Sequence, residues 1–207
     1  MNRIHKNVRL GKNVKVEEFA IIGRPPMGRK DGELETVIGD DSLIRSGTVI
    51  YAGTVTGKGF ATGHGALVRE NNRIGNDVSI GSHAVVERDS LISDGVRIHT
   101  GAFIPEHTTL KAGSWIGPCC TLVNAPHPLC PKAKECMKGP TVEENAKIGA
   151  ASVVMPSVKI GKGALVGAGS VVIDDVKAGS VVAGNPAKRI KDVCDLRCKF
   201  GLVEKPY

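Results

Sequence analysis

An aliphatic residue returns at every sixth position from Ile38 to Leu122, and only Thr56 and Thr62 break the chemistry of the beat. Four positions after the beat the residue is usually small or β-branched, as at Ser42, Thr48, Ala66, Val78, Ala84 and Ala102. Neither helical spacing nor strand alternation repeats at six, so the period predicts a parallel β-helix. One hexad buries almost nothing. Three hexads wound as a triangle make one coil, and stacked coils bury their beats in a continuous column. The beat also runs through Ile4, Leu10, Val16 and Ile22, and resumes from Val142 to Val172. The prediction is an all-β triangular prism over residues 1–186, with about eight coils and a length of roughly 40 Å. Glycines that follow the beat, among them Gly39, Gly75, Gly81, Gly117, Gly149 and Gly167, are expected to serve tight turns. So thin an interior is expected to lean on sister chains.

Two segments interrupt the period. Residues 24–37 read RPPMGRKDGELETV, and residues 124–141 read NAPHPLCPKAKECMKGPT. Pro, Gly and charge mark both as surface loops. Hexads eighteen residues apart share a wall, so both loops are predicted to leave along one edge. The repeat resumes after the second loop, which therefore reads as part of a site rather than as a linker. After Pro186 the beat stops. Residues 187–207 are predicted to form a tail with a short helix through Ile190, Val193 and Leu196, ended near Gly201.

The same phase arithmetic sorts the polar residues. His64, His83 and His99 climb one wall in successive coils, and Cys119 and Cys120 continue it. The next wall carries Glu70, Glu87, Asp89, Glu106, His107 and Asn124, while the third, with Asn76, Asp77 and Asp94, is plain. Histidine serves as a proton acceptor near neutral pH. A histidine wall beside a carboxylate wall suits a cleft between neighbouring prisms.

Charge and composition narrow the partners. The net charge is +7, with basic residues in the first loop (Arg24, Arg29, Lys30) and near the end (Lys188, Arg189, Lys191, Arg197, Lys199). That balance suits a solvated surface or attraction to a polyanionic small molecule. Aromatics make up only 3%, with no basic stripe between them, which argues against a nucleic-acid surface. No apolar run is long enough for a membrane span. The segment MNRIHKNVRLGKNV lacks the apolar stretch of a secretion signal, so a cytoplasmic location is expected. Six cysteines in a reducing compartment are expected to stay unpaired. They are either free thiols or, with His127, part of a structural zinc site in which Cys130, Cys136 and Cys198 pin loop to tail.

The strings GPTVEENAKIGAASVV and IGKGALVGAGSVVIDDVKAGSVVAGNPAKRI resemble the hexapeptide-repeat acyltransferases, most closely those that N-acetylate nucleotide-linked amino sugars. The resemblance implies a left-handed parallel β-helix, a homotrimer and acetyl-CoA as acyl donor. It implies donor contacts near Ala150 and Ala168, with Lys188 and Arg189 on its phosphates. It implies a histidine base, His99 with His83 as rival, oriented by Glu106. It implies an acceptor held by Asn124, His127 and His64. Two other readings share the framework. A γ-class carbonic anhydrase-like zinc enzyme is similar at GHGALV and IGSHAV, but needs two histidines five apart, and Arg69 stands five after His64. A noncatalytic assembly subunit would need no donor groove.

Overall fold

The computed structural model describes residues 1–207. Each beat lies in a strand of two to four residues, and the chain turns a corner after each one. Strands eighteen residues apart pair in parallel, so that Val49–Tyr51, Leu67–Val68, Val85–Val86 and Phe103–Ile104 line up on one face. That face, A, has nine strands, from Arg3–Ile4 to Val171–Val172. Face B has eight, from Val8–Leu10 to Lys159–Ile160. Face C has ten, from Lys15–Val16 to the hairpin Ser180–Gly184 and Ala187–Asp192. Nine rungs at the usual strand spacing make a prism about 38 Å long.

The aliphatic beats point inward. Ile22, Ile38, Ile50, Ile104, Leu110, Ile148 and Val166 are all fully buried in one continuous core. The polar beats are satisfied within it. Thr62 Oγ1 meets Thr48 Oγ1 at 2.9 Å and accepts from the Arg45 N–H, and Thr56 Oγ1 accepts from the Gly39 N–H. Each therefore avoids the penalty of an unpaired buried hydroxyl.

The glycine that follows the beat does something other than turn the chain. At Gly149 the backbone is not left-handed, yet an added Cβ would stand 2.5 Å from the Ala168 nitrogen of the next coil. Close approach between coils, not turn geometry, selects glycine there. The left-handed residue lies two positions later and recurs every six residues, from Asp41 and Gly47 to Gly163 and Gly169.

Both loops leave the A–B edge, as the phase predicts. The first folds back over the opening coil, where Arg9 pairs with Glu35 at 2.7 Å and Asn7 Nδ2 donates to the Gly32 carbonyl. The second carries one helical turn, Ala133–Cys136. The tail differs from expectation. Ile190 lies in strand Ala187–Asp192, antiparallel to Ser180–Gly184, and only Val193–Asp195 is helical, as a 3₁₀ turn. The last coil otherwise leaves strand edges unpaired, and hairpin pairing satisfies more backbone groups there than one surface helix would.

Candidate active site along one edge of the prism

Three stacked rows of turns define the three edges. At the C–A edge the backbone ladder runs from Ser46 to Gly65, His64 to His83, Ser82 to Gly101, Thr100 to Cys119, Pro118 to Ala151 and Ala150 to Gly169. The three candidate histidines and both donor-site alanines therefore lie on a single edge. Ala150 and Ala168 sit one coil apart, since the Gly169 N–H donates to the Ala150 carbonyl at 2.8 Å. The hairpin bearing Lys188 continues the line, because Lys188 pairs with Ala183 and the Gly167 N–H donates to the Val182 carbonyl.

The histidines differ in what holds them. His64 is exposed, with Nδ1 2.7 Å from Ser46 Oγ and 3.9 Å from Glu17. His83 is also exposed, and its ring packs over Gly65. His99 is partly buried. Its ring meets Trp115 at 4.5 Å between centroids, and its Nε2 is shielded from solvent with no hydrogen-bond partner. Burial, with the Arg97 charge second, holds its imidazole below the ordinary histidine range. Both effects favour the neutral form, which is the one that accepts a proton. His99 also lines a shallow cleft of about 310 Å³ with Arg45, Gly63, Gly81, Arg97 and Thr100. In its row the neighbours are all glycine: Gly63 and Gly81 on one side, Gly117, Gly149 and Gly167 on the other. His99 is thus the lone side chain in a strip of open backbone.

Glu106 is not beside His99 in the same chain. The two stand at opposite edges of face A, separated by strand Phe103–Ile104, and Glu106 accepts from Arg88 Nε at 2.8 Å. The carboxylate wall is a paired ladder. Arg69 binds Glu70 and Glu87, while Arg88 binds Asp89 and Glu106. Burial pushes the Glu87 carboxyl up against the pull of Arg69. Asn124 Nδ2 reaches the Glu106 carbonyl at 3.4 Å, so it shares that edge, and His127 lies exposed in the loop beyond. Arg189 pairs with Asp192 at 2.8 Å, leaving Lys188 and Lys191 as the hairpin cations without an ion-pair partner.

The zinc site is not formed. No three His, Cys, Asp or Glu residues gather in a metal-holding group. Cys130 and Cys136 ride the loop at the A–B edge, whereas the tail containing Cys198 ends on the opposite face, C, where Tyr207 covers Lys147 at 4.6 Å. Cys120 points inward and is buried.

Trp115, Lys147 and Tyr207 escaped the sequence reading. With Leu165, Gly167 and Ala168 they line a cavity of about 470 Å³ on face C beside the alanines. The eighteen-residue register that aligned the beats also aligns the outward residues Arg97, Trp115, Lys147 and Leu165. Extending the arithmetic to residues one before the beat would have found Trp115 and Lys147; Tyr207, in the tail outside the repeat, gives no such signal.

The matching family model is the bacterial transferase hexapeptide (six repeats), over residues 139–174. No curated protein matches the chain. Among solved structures, a UDP-N-acetylglucosamine acyltransferase of Arabidopsis is 22% identical, covers 92% of this chain and 72% of its own, and superposes with a TM-score of 0.61. The UDP-N-acetylglucosamine acyltransferase of Campylobacter jejuni is 19% identical, covering 92% and 73%, with a TM-score of 0.55. A putative acetyltransferase of Bacillus cereus is 17% identical, covering 84% of each chain, with a TM-score of 0.52. Fold and repeat together make this chain a left-handed parallel β-helix built from hexapeptides. Over residues 139–174 its repeat matches that of the bacterial hexapeptide transferases.

Proposed function

We propose that the chain is an acyltransferase that moves an acetyl group from acetyl-CoA to the amine of a nucleotide-linked amino sugar. The observation that carries the reading is the C–A edge itself. His99, with an unpartnered Nε2 and surroundings that keep it neutral, shares a glycine-floored strip with Gly149 and Gly167, beside Ala150 and Ala168. An extended pantetheine arm fits such a strip, because open coil backbone offers amide partners without side-chain obstruction. Lys188 lies at the end of the strip, where phosphate groups would find a cation.

In this reading the His99 imidazole takes the amine proton as nitrogen attacks the thioester carbonyl. The tetrahedral oxyanion then collapses, the C–S bond breaks, and the departing thiolate receives the proton from the imidazolium. The products are an amide and free CoA.

The reading also takes three copies. The outward row of face A starts at Arg3 and continues through Ile21, Val49, Leu67, Val85, Phe103, Thr121, Val153 and Val171, uncharged from Ile21 onward, whereas the same rows of the other faces carry charge along their length. Three prisms turning this face toward a common axis bring the C–A edge of each against the A–B edge of the next. A heterologous contact that closes in this way forms a ring. His99 of one copy would then face the edge that carries Glu106, Asn124 and His127 in its neighbour.

The test is acetyl-CoA turnover with a panel of nucleotide-linked amino sugars, read by thiol release, together with CoA binding and solution mass. Acceptor-dependent thiol release by a trimer supports the reading. A chain that neither binds CoA nor releases thiol with any acceptor is an assembly subunit, and the reading fails.

A further inference from the structure

A second site lies at the other end of the prism. The opening coil and the first loop border an open hollow of about 250 Å³ lined by Arg3, His5, Ile21, Arg24 and Pro25. It is far larger than the ~30 Å³ that one water occupies. Three of its five lining residues carry cationic or titratable nitrogen, and none is a carboxylate. Neither Arg3 nor Arg24 has an acidic partner, although nearly every acidic group around them is taken: Asp31 by His5, Glu33 by Arg29, Glu35 by Arg9 and Glu17 by Arg45.

The hollow is built rather than incidental. The His5 side chain is only 6% exposed, and its Nδ1 donates to Asp31 at 3.1 Å. Asp31 is itself fixed by the Lys6 N–H at 3.1 Å. With Nδ1 donating to Asp31, Nε2 is the ring nitrogen left for a ligand: it donates to a phosphate oxygen in the imidazolium form and accepts from a phosphate O–H in the neutral form. The sharp bend at Gly23 makes the arrangement possible. Its φ of 79° favours glycine, and a Cβ there would run into Val8 and crowd His5. The bend shifts the strand register between Ile22 and Arg24, so that Arg24 pairs with Tyr51 and stands over its ring at 5.8 Å. Two guanidiniums and an anchored imidazole around one hollow match the oxygens of a phosphate group, since guanidinium geometry suits phosphate bidentately.

We infer that the hollow formed by Arg3, His5 and Arg24 binds a small diphosphate-bearing anion. It lies five rungs from the His99 coil along face A, about 24 Å away. The inference therefore does not rest on the acyl-transfer reading, and either can fail alone. Two sources offer the same chemistry: inorganic pyrophosphate and the diphosphate of a nucleoside diphosphate.

Calorimetric titration of the full chain with inorganic pyrophosphate at low ionic strength tests it. The expected result is one saturable site per chain whose affinity falls as salt rises. The double variant Arg3→Ala/Arg24→Ala weakens binding at least tenfold with unchanged melting temperature and solution mass, and His5→Gln weakens it several-fold. Uridine diphosphate assigns the source: equal affinity means that the diphosphate alone is held, and tighter binding means that the nucleoside is held too. Absence of saturable pyrophosphate binding overturns the inference, as does binding that the double variant leaves intact. A parent that ignores pyrophosphate, with a double variant that falls apart into monomers, would instead assign the two arginines to a second copy's exposed edge carboxylates such as Glu18.

Discussion

The B–C and C–A edges are built from the same hexapeptide, yet they use it differently. Each coil needs one left-handed residue per turn. At the B–C edge those residues are Asn13, Asp41, Gly59, Asp77, Gly95, Gly113, Asn145 and Gly163, the types that tolerate this conformation best. Side chains there also stitch coil to coil: Asp40 accepts from the Lys12 N–H, Asn76 from the Lys58 N–H and Asp94 from the Asn76 N–H. At the C–A edge the equivalent positions include Phe19, His83, Cys119 and Ala151. Each such residue costs roughly 1 kcal/mol against glycine. One edge is optimised for turning. The other gives up turn stability and holds the histidines and the glycine strip. Backbone strain of this kind gathers where side chains serve purposes other than folding.

Four experiments press on that contrast, from the largest expected effect to the smallest. His99→Asn at the C–A edge should lower kcat by about a hundredfold or more, the usual contribution of a general base, while CoA affinity stays within about twofold. The matched change Asp77→Asn at the B–C edge should leave kcat alone. Equal losses at both edges would erase the division between them.

Gly113→Ala should destabilise the prism by about 1–3 kcal/mol, measured by denaturant unfolding, because φ is +66° and the new Cβ would sit 2.5 Å from Asn145 Oδ1. Turnover per folded molecule should not change. A neutral effect on stability would mean that the B–C edge is less constrained than its composition implies.

The pH profile follows from His99. Its imidazole is held below the ordinary histidine value of 6.5 by burial first and Arg97 second, so the neutral base persists as pH falls through 6.5. The acidic limb of kcat/KM should therefore lie below 6.5, and Arg97→Gln should move it upward. A limb above the ordinary histidine value would exclude His99 as the titrating group.

Ala151→Gly should raise stability slightly, by a few tenths to about 1 kcal/mol, as relief of the left-handed strain outweighs the entropy glycine adds to the unfolded chain. A loss of stability would show that the Ala151 methyl is held by packing.

Much of this was legible along the chain. The beat from Ile38 to Leu122 gave the prism, the register and the common edge of the two loops, because a core one side chain thick leaves each buried position visible in the period. The histidine edge followed from the same count. Phase already set Glu106 and His99 on different walls; that Arg88 takes the Glu106 carboxylate was not legible, since phase tells which edge a residue occupies but not which neighbour reaches it first. The tail misled for a related reason. Ile190, Val193 and Leu196 suit a helix in isolation, and an open strand end at Ser180–Gly184 outbid that local preference.

By itself, then, the sequence determined the winding of the chain, the inward column and the three edges, since each depends on contacts exactly one coil away. Only the folded molecule decided which histidine keeps a buried nitrogen without a partner, that Trp115 backs it, that the scattered cysteines form no metal centre, and that Arg3 and Arg24 line one hollow beside the bend at Gly23. Those facts depend on side-chain direction, loop return and competition among neighbours, and a one-dimensional period carries none of them.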